Sequence, residues 1–313
     1  MDYFEKEFAG IVEKAKAGKK VMRVAVAGAD AENILKGVFD AQEDGFVEPI
    51  LIGNEAKIMA VIERLGMTER DYVLQPVPDD TNVVQFAIEM IKAGSADCLV
   101  RGNTQTRDFL MPVLNRANHL VREDELVTHV VFLKVPEYEK VMAISDVTLL
   151  INPPADARVE VAKNMVKALS VFEITTPNIA LLSLVETPSF QMRDTVEDQT
   201  IVRNHKMRPI ADCNLVGPIS YDLIVSKEAA RLKNYDCPYC GEFDGIVVPN
   251  LMSGNLLVKV LQRNAKATGF GILVGCNIPI AISGRSDPPE QTYLSLATCS
   301  AMLNSEKHYY KGK

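Results

Sequence analysis

The chain has 313 residues, 47% of them hydrophobic and 24% charged, which is enough for two packed domains of ordinary size. Its net charge of -7, from 34 basic and 41 acidic residues, argues against a broad nucleic-acid-binding surface. No apolar run reaches the length of a membrane span, and the first residues lack a basic region followed by an apolar segment. We therefore expect a cytoplasmic protein with neither a nucleic-acid nor a membrane partner.

Strand and helix patterns alternate through the first part of the chain. The run KVMRVAVAGA (20–29) predicts a buried strand, and Asp30 is a suitable N-cap for the amphipathic helix that follows. The unit recurs three times, as VEPILIG with NEAKIMAVIERLG, YVLQPV with DDTNVVQFAIEMIKAG, and DCLVRG with TQTRDFLMPVLNRAN. Strands that alternate with helices over short connections are typical of a parallel sheet covered on both faces.

The segment THVVFLKVPEYEKVMAISD (128–146) interrupts this order, because two strand patterns flank a Pro-Glu-Tyr turn and predict an antiparallel hairpin. We place the domain boundary at this turn. A second α/β series is predicted beyond it. Its helices are 156–173, one from about 194, SKEAARLKN and SGNLLVKVLQRNAKA, and its strands are NIALLSL, a segment near 213–217, DGIVVPNL, FGILVGC and IPIAIS.

The final helix begins after Asp287 and two prolines, with proline in the first turn, where its missing N–H costs nothing. The first series supplies four or five strands, so we expect this helix to return and cover the first domain. The predicted fold is α/β, with two three-layer α/β domains, mainly parallel sheets and an interdomain cleft. The first domain is discontinuous (1–136 plus 275–313), and the second covers 137–274.

Cys237-Pro-Tyr-Cys240 has the Cys-x-x-Cys pattern of a dithiol redox motif. In redox enzymes the first cysteine follows a strand and begins a helix, whose dipole lowers the pKa of the thiol. Here the order is reversed, since Cys237 follows a predicted helix and Cys240 precedes a predicted strand. The pattern favours an ordinary surface loop, with a labile disulfide and a weak two-ligand metal site as alternatives.

Neither a Gly-x-Gly-x-x-Gly nor a P-loop pattern follows a predicted strand, so a dinucleotide or P-loop site is not expected.

Three strand-to-helix turns instead carry polar residues at the carboxyl ends of predicted strands, where open α/β sheets bind ligands. The first turn lies in LVRGNTQTRDF, and its candidate binding residues are Arg101, Gly102, Asn103, Thr104 and Arg107. Backbone N–H groups at a helix start and two guanidinium groups can hold an anion. An exposed arginine and a Thr104 cap are the alternative.

The second turn lies in VPNLMSGNLLVK, and its candidates are Asn250, Ser253, Gly254 and Asn255. A plain helix cap needs only Ser253, so the additional residues suggest a ligand. The third turn lies in AISGRSDPPE, and its candidates are Ser283, Arg285, Ser286, Asp287 and Glu290. Charged residues that are simply solvated after a buried strand are the alternative here.

Five blocks of the sequence carry a resemblance: CLVRGNTQTRDFLMPVLN, VTHVVFLKVPEYEKVMAISDVTLLINP, GPISYDLIVSKEAARLK, GIVVPNLMSGNLLVKVL and GFGILVGCNIPIAISGRSD. In order and spacing they resemble blocks of the phosphate acetyltransferase and phosphate butyryltransferase family. The similarity runs from about residue 90 to the end, and the first ninety residues fit less distinctively. The resemblance implies two α/β domains, a discontinuous first domain, and a cleft where coenzyme A and phosphate meet.

The resemblance also implies the reaction acyl-CoA plus phosphate to acyl phosphate plus coenzyme A, for a short acyl chain and nearer the butyryltransferase branch. Acyl-CoA and inorganic phosphate would then be the substrates, with no metal or other cofactor, and we expect a homo-oligomer. The alternative is a diverged member that binds a coenzyme A or phosphate ligand without turnover, as a sensor or as part of an assembly.

The family's Ser-Arg pair falls on Gly284 and Arg285, with Ser283 one position early. The resemblance therefore implies a catalytic role for Arg285, and for Ser283 if the loop is shifted. The carboxylate that manages the thiol proton stays open between Asp287, which matches the butyryltransferase pattern, and Glu290. Arg101 stands where lysine is common in the family. Closure of the two domains would bring the first and second turns together around both substrates.

Overall fold

The computed structural model describes residues 6–306 and 309–310 and divides into two compact units. The first unit combines the chain up to Val127 with the chain from Phe270 onward, and the second covers Thr128–Gly269. The predicted break at 136 falls in the turn of the hairpin, and both strands of this hairpin lie in the second unit.

Both units consist of strands that alternate with helices. The strands are β1 (Met22–Ala27), β2 (Val47–Gly53), β3 (Val73–Pro76), β4 (Cys98–Arg101), β5 (Thr128–Lys134), β6 (Val141–Ser145), β7 (Asn178–Leu182), β8 (Asn214–Ile219), β9 (Gly245–Val247), β10 (Thr268–Val274) and β11 (Ile280–Ala281). The helices are α1 (Ala9–Lys16), α2 (Glu32–Glu43), α3 (Glu55–Leu65), α4 (Val83–Lys92), α5 (Thr106–Leu114), α6 (Ala155–Leu169), α7 (Arg193–Met207), α8 (Tyr221–Val225), α9 (Lys227–Lys233), α10 (Leu251–Arg263) and α11 (Pro289–Leu303).

The strands of the first unit follow the order β3-β2-β1-β4-β11-β10, and the neighbouring pairs are parallel except for β11 with β10. In the second unit the order is β5-β6-β9-β7-β8, and the pairs are parallel except for the β5–β6 hairpin. Central strands such as β4 are buried along their whole length, which explains their continuous apolar runs. The predicted α/β class with mainly parallel strands is confirmed.

Most predicted elements form, but several boundaries differ. Asp30 does not cap α2, because Ala31 is the N-cap residue and makes no side-chain capping bond. The helix predicted from Ser253 begins two residues earlier, at Leu251, and Asn250 caps it. The helix predicted over 156–173 ends at Leu169 and continues as a 3-10 turn. The sequence did not predict α1 or the short α8, whose apolar patterns are brief.

The final helix, α11, packs against α2 in the first unit. A Cβ built on Gly37 of α2 would overlap the carbonyl oxygen of Pro289, so this close approach requires glycine. The ring of Tyr293 meets that of Phe46 edge to face, with centroids 5.4 Å apart. Residues 291–302 of α11 are all buried. The helix therefore has no solvent-exposed face, and its sequence is not divided into an apolar and a polar side.

Within the part of the chain that the structure describes, every helix is too short or too polar to cross a membrane.

Candidate functional site

The first and third predicted turns lie side by side in the first unit. Strands β4 and β11 are parallel neighbours, with Leu99 opposite Ile280 and Val100 opposite Ala281. The carboxyl ends of parallel neighbours meet at the same edge of a sheet. The turn over residues 101–105 and the loop over residues 282–288 therefore start from adjacent positions, although about 180 residues separate them in the chain.

The turn after β4 is held against the end of β1. The amide of Gly102 donates to the carbonyl of Ala27 at 3.0 Å, and the amide of Asn103 donates to that of Gly28 at 2.7 Å. A Cβ on Gly102 would overlap the Gly28 carbonyl oxygen, so only glycine allows the approach. Gly28 itself has φ +80°, and a Cβ there would lie 3.2 Å from the Thr104 side chain. The sequence did not single out Gly28, because its role depends on a turn more than seventy residues away.

Arg101 links the two loops through its guanidinium group. Its Nη2 and Nε donate to the carbonyl of Thr104 at 2.8 and 3.2 Å, and its Nη1 donates to the carbonyl of Ser283 at 3.3 Å. The residue is only 6% exposed. Burial lowers the pKa of Arg101, and the nearby positive charge of Arg285 lowers it further. The structure therefore places Arg101 beneath the loops, where it bonds to backbone carbonyls.

Arg285 is exposed on the loop over residues 282–288. Its Nη2 donates to Oε1 of Gln105, 3.2 Å away, which orients the guanidinium group over the first turn. Arg101 and Arg285 thus bring two positive charges close together, an arrangement that favours an anion between or above them. Gln105 was not among the predicted site residues, since a glutamine before a helix carries no distinctive signal.

Asp287 and Asn33 shape the loop that carries Arg285. The Asp287 carboxylate accepts from the amide of Gly284 at 2.5 Å, and a Cβ on Gly284 would lie 2.6 Å from the same oxygen. The carbonyl of Asp287 accepts from Nδ2 of Asn33 at 2.7 Å. The Asp287 side chain therefore closes the turn of its own loop, and α2 anchors the loop through a residue that the sequence did not indicate.

The remaining residues of these loops have different surroundings. Ser283 is buried and its hydroxyl accepts from the hydroxyl of Thr292 at 3.2 Å, so it faces α11. Glu290 lies half-buried in the first turn of α11. Asn103 and Arg107 are exposed.

The alternative role of Thr104 as a helix cap is wrong. Gln105 is the N-cap residue of α5, which begins at Thr106, and it makes no side-chain capping bond. The Thr104 hydroxyl oxygen is buried and has no hydrogen-bond partner among the residues that the structure describes. A buried hydroxyl of this kind is expected to meet water or a ligand.

A pocket of about 410 Å³ adjoins the Arg285 loop, within the size range of small-molecule sites. Its walls include the loop residues Arg285, Ser286 and Asp287 and, from α2, the residues Glu32, Asn33 and Lys36. Lys36 is paired with Asp40 one turn further along α2, at 3.1 Å. The pocket therefore combines the basic side chains of Arg285 and Lys36 with the acidic side chains of Glu32 and Asp287.

The second predicted turn belongs to the second unit, where internal contacts account for each of its residues. Oδ1 of Asn250 accepts from both the amide and the hydroxyl of Ser253 at 3.0 Å, as an N-cap does. A Cβ on Gly254 would lie 2.7 Å from the carbonyl oxygen of Asp146. Asn255 donates to the carbonyl of Val147 at 3.1 Å. Ser253 is thus the capped residue rather than the cap, and a role of this turn in ligand binding stays a prediction.

Asp146 directly follows β6 and lies beside this turn. Its carboxylate accepts from four backbone amides, those of His129, Thr148, Leu149 and Leu150, at 2.6 to 3.1 Å. Burial raises the pKa of Asp146, and these bonds oppose the shift. The carboxylate therefore fixes the chain after β6, against which α10 begins.

Across residues 6–306 and 309–310, His, Cys, Asp and Glu side chains form no group of three or more that is arranged to hold a metal ion.

Comparison with known proteins identifies the family. The family described as phosphate acetyl/butaryl transferase matches residues 64–298, which include both loops of the first unit. The chain belongs to this family. It is 28% identical to phosphate butyryltransferase from Clostridium acetobutylicum over 96% of this chain and 99% of that protein. It is also 28% identical to phosphate acetyltransferase from Thermotoga maritima, over 92% of this chain and 96% of that protein.

The fold agrees with this assignment. A branched-chain phosphotransacylase from Enterococcus faecalis V583 superposes with a TM-score of 0.78 at 26% identity, over 90% of this chain and 98% of that one. The resemblance read from the sequence blocks is therefore confirmed, and so is the expectation that the protein is an enzyme of this family.

Proposed function

We propose that the protein transfers a short acyl group between coenzyme A and inorganic phosphate, in the reaction acyl-CoA plus phosphate to acyl phosphate plus coenzyme A. The observation that carries the proposal is the family match over both loops of the first unit, where Arg285 stands exposed above the buried Arg101. The named relatives transfer acyl groups to or from phosphate, which fits an anion site at this position.

The chemistry requires few groups. A phosphate oxygen attacks the thioester carbonyl, so the site must hold an anion, stabilise the developing oxyanion and manage the proton of the departing thiol. Arg285 binds phosphate, since its guanidinium group is exposed and Gln105 orients it. Arg101 adds positive charge from below while its own N–H groups hold the loops in place. Holding two substrates in line supplies much of the acceleration.

We propose that the Glu290 carboxylate manages the proton of the departing thiol. The Asp287 carboxylate already accepts a hydrogen bond from the amide of Gly284. Moving this carboxylate would open the loop that carries Arg285. Glu290 lies three residues further along the chain, half-buried in the first turn of α11. We expect Glu290→Gln to lower kcat with little change in melting temperature, whereas Asp287→Asn should lower both activity and melting temperature. The reverse pattern would assign the proton to Asp287.

Acyl-CoA and phosphate are the proposed substrates, and the chemistry uses no metal or other cofactor. Turnover should therefore be unchanged by a chelator such as EDTA, and loss of activity on chelation would contradict this part of the proposal. The protein is proposed to work as a homo-oligomer, which light scattering of the purified chain would measure directly.

One observation favours a second function, the binding of a coenzyme A or phosphate ligand without turnover. Gly284 stands where the family carries serine, and the neighbouring Ser283 hydroxyl is buried against Thr292. The site therefore lacks a hydroxyl at the family position. If the remaining groups do not suffice for catalysis, the protein would act as a sensor or as part of an assembly.

A thiol-release assay separates the two functions. Acetyl-CoA, butyryl-CoA and a branched-chain acyl-CoA would each be offered with and without phosphate, and the acyl phosphate would be trapped with hydroxylamine. Phosphate-dependent release of coenzyme A with matching acyl phosphate supports the transferase, and the best substrate gives the acyl preference. Saturable binding of acyl-CoA without thiol release would support the second function instead.

A further inference from the structure

The Cys237–Cys240 motif lies in the second unit, in the connection from α9 to β9. This is the helix-to-strand location that the sequence predicted, so no helix dipole acts on the first thiol. Cys237 is half-buried and Cys240 is 3% exposed, and both are free thiols. The amide of Cys240 donates to the carbonyl of Cys237 at 3.4 Å, which closes a turn with the two cysteines at its ends.

The surrounding contacts hold this loop in shape at both ends. The amide of Tyr235 donates to the carbonyl of Ala230 at 2.9 Å, and the amide of Gly241 donates to that of Ile224 at 3.1 Å. Gly241 has φ +72°, and a Cβ there would lie 2.8 Å from the side chain of Lys227. Because a closed turn keeps its end Cα atoms within about 7 Å, the backbone holds Cys237 and Cys240 at a separation that a disulfide can span.

The first unit contains a second pair of interacting thiols that serves as an internal comparison. Burial and the nearby Cys299 thiol of α11 raise the pKa of Cys98 on β4, and both cysteines are fully buried. Oxidation requires access as well as proximity, since an external disulfide must reach one sulfur in line. Cys237 meets this condition, whereas Cys98 and Cys299 do not.

We propose that Cys237 and Cys240 form a reversible dithiol–disulfide couple that exchanges with small-molecule disulfides such as oxidised glutathione. The Cys237 thiolate attacks one sulfur of oxidised glutathione and releases one glutathione thiolate, which leaves a mixed disulfide at Cys237. The Cys240 thiolate then attacks Sγ of Cys237 and releases the second glutathione. The protein loses two thiol protons, the two departing glutathione thiolates take them up, and the protein dithiol is oxidised as oxidised glutathione is reduced.

The surroundings make the second step the slower one at neutral pH. Burial raises the pKa of Cys240 to about 12, and the charges of Asp222 and Glu186 act in the same direction. Little thiolate is therefore present at Cys240, and the mixed disulfide at Cys237 should accumulate before the ring closes. Raising the pH should speed closure. Lys233, which is paired with both carboxylates, offsets part of their effect.

The test uses the full chain under native conditions. The protein is incubated with oxidised glutathione, alkylated, and mapped by peptide mass spectrometry. We expect a loss of two hydrogens in the peptide that contains both cysteines, and full reversal by dithiothreitol. Cys240→Ser should stop at the glutathione adduct on Cys237, and Cys237→Ser should leave Cys240 unreactive. Cys299→Ser is the matched control and should react as the parent does.

Three results would overturn the proposal: both residues remaining thiols in excess oxidised glutathione, a disulfide that maps to Cys98 and Cys299, or a glutathione adduct that never closes in the parent chain. The melting temperature of each variant shows whether it is folded. The proposal is independent of acyl transfer, because the double variant Cys237→Ser with Cys240→Ser should keep turnover within a few-fold of the parent.

Discussion

Arg285 and Arg101 carry the same charge on neighbouring loops, but their surroundings give them different tasks. Arg285 is exposed and has one described hydrogen bond, to Gln105, so its guanidinium group has donors left for a ligand. Arg101 is buried and directs three N–H groups to two backbone carbonyls. Removal of the Arg285 side chain should affect activity, whereas removal of the Arg101 side chain should affect both activity and folding.

We expect Arg285→Ala to lower kcat/KM by about 10²- to 10³-fold, the loss that is typical when one charged or hydrogen-bonding transition-state contact is removed. The melting temperature should stay close to that of the parent, because the side chain is exposed. Steady-state thiol release and a thermal melt would measure the two quantities. Arg116→Ala, an exposed arginine in the same unit, is the control and should match the parent in both. Undiminished turnover in Arg285→Ala would remove this residue from the site.

Arg101→Ala should lower the free energy of unfolding by about 1–3 kcal/mol, because the carbonyls of Thr104 and Ser283 lose their buried donor. We also expect the KM for phosphate to rise more than the KM for acyl-CoA, since the lost charge lies beside Arg285. Arg101→Lys should recover part of the phosphate effect, but it cannot reproduce the forked geometry. Urea unfolding and kinetics in both substrates test this. Equal changes in the two Michaelis constants would place Arg101 outside the phosphate site.

At the scale of elements, the site depends on how closely the turn after β4 approaches the end of β1. Two glycines make this possible, Gly102 through the absence of a Cβ and Gly28 through its positive φ. The position of α5 follows from this approach, because the helix begins directly after the turn. Any side chain at residue 102 must push the turn away from β1 and disturb the backbone that Arg101 holds.

Gly102→Ala should therefore destabilise the protein by about 1–3 kcal/mol, the range found when a packed site is overfilled. Gly10→Ala is a matched control. Nothing lies within 4 Å of a Cβ at residue 10, and alanine should stabilise α1 by up to about 1 kcal/mol. Denaturant midpoints of the two variants should move in opposite directions. A neutral Gly102→Ala would show that the turn can relax without cost.

At the scale of the whole molecule, the response of stability to acid can be traced to a charge cluster in the first unit. Asp97, just before β4, accepts from Arg23 of β1 at 2.8 and 2.9 Å and from Lys20 at 2.7 Å. Burial alone would raise the pKa of Asp97, but these bonds outweigh it and lower the pKa to about 2. A carboxylate with a depressed pKa stabilises the folded state above its unfolded pKa of about 3.9.

This contribution should be fully present at pH 7 and should be lost as the pH falls from about 4 through 2. Allowing for solvent screening, we expect Asp97→Asn to lower the free energy of unfolding by about 1 kcal/mol at neutral pH. The difference between variant and parent should shrink below pH 4, where the parent carboxylate becomes protonated. Urea unfolding at a series of pH values measures it. A difference that does not change with pH would assign the effect to hydrogen-bond geometry rather than charge.

The sequence by itself determined most of the elements and the family. Apolar runs such as VEPILIG match β2 residue for residue, because burial on both faces of a parallel sheet leaves a local signal. The prolines after Asp287 likewise mark the start of α11, since their effect on the backbone is local. The five sequence blocks sufficed to identify the family, because several motifs in fixed order specify a chain far better than one motif.

Only the tertiary structure determined which polar groups form hydrogen bonds with each other. Gln105 and Arg285 are 180 residues apart, and Asn33 reaches the carbonyl of Asp287 across 254 residues. No local pattern encodes such contacts, because they follow from the parallel pairing of β4 with β11 and the packing of α11 on α2. The same cause explains why Ser253 has the sequence signature of a helix cap, although Asn250 caps α10. A polar side chain near a helix start has the same sequence signature whether it meets a substrate or a backbone carbonyl, and only the packed structure distinguishes the two.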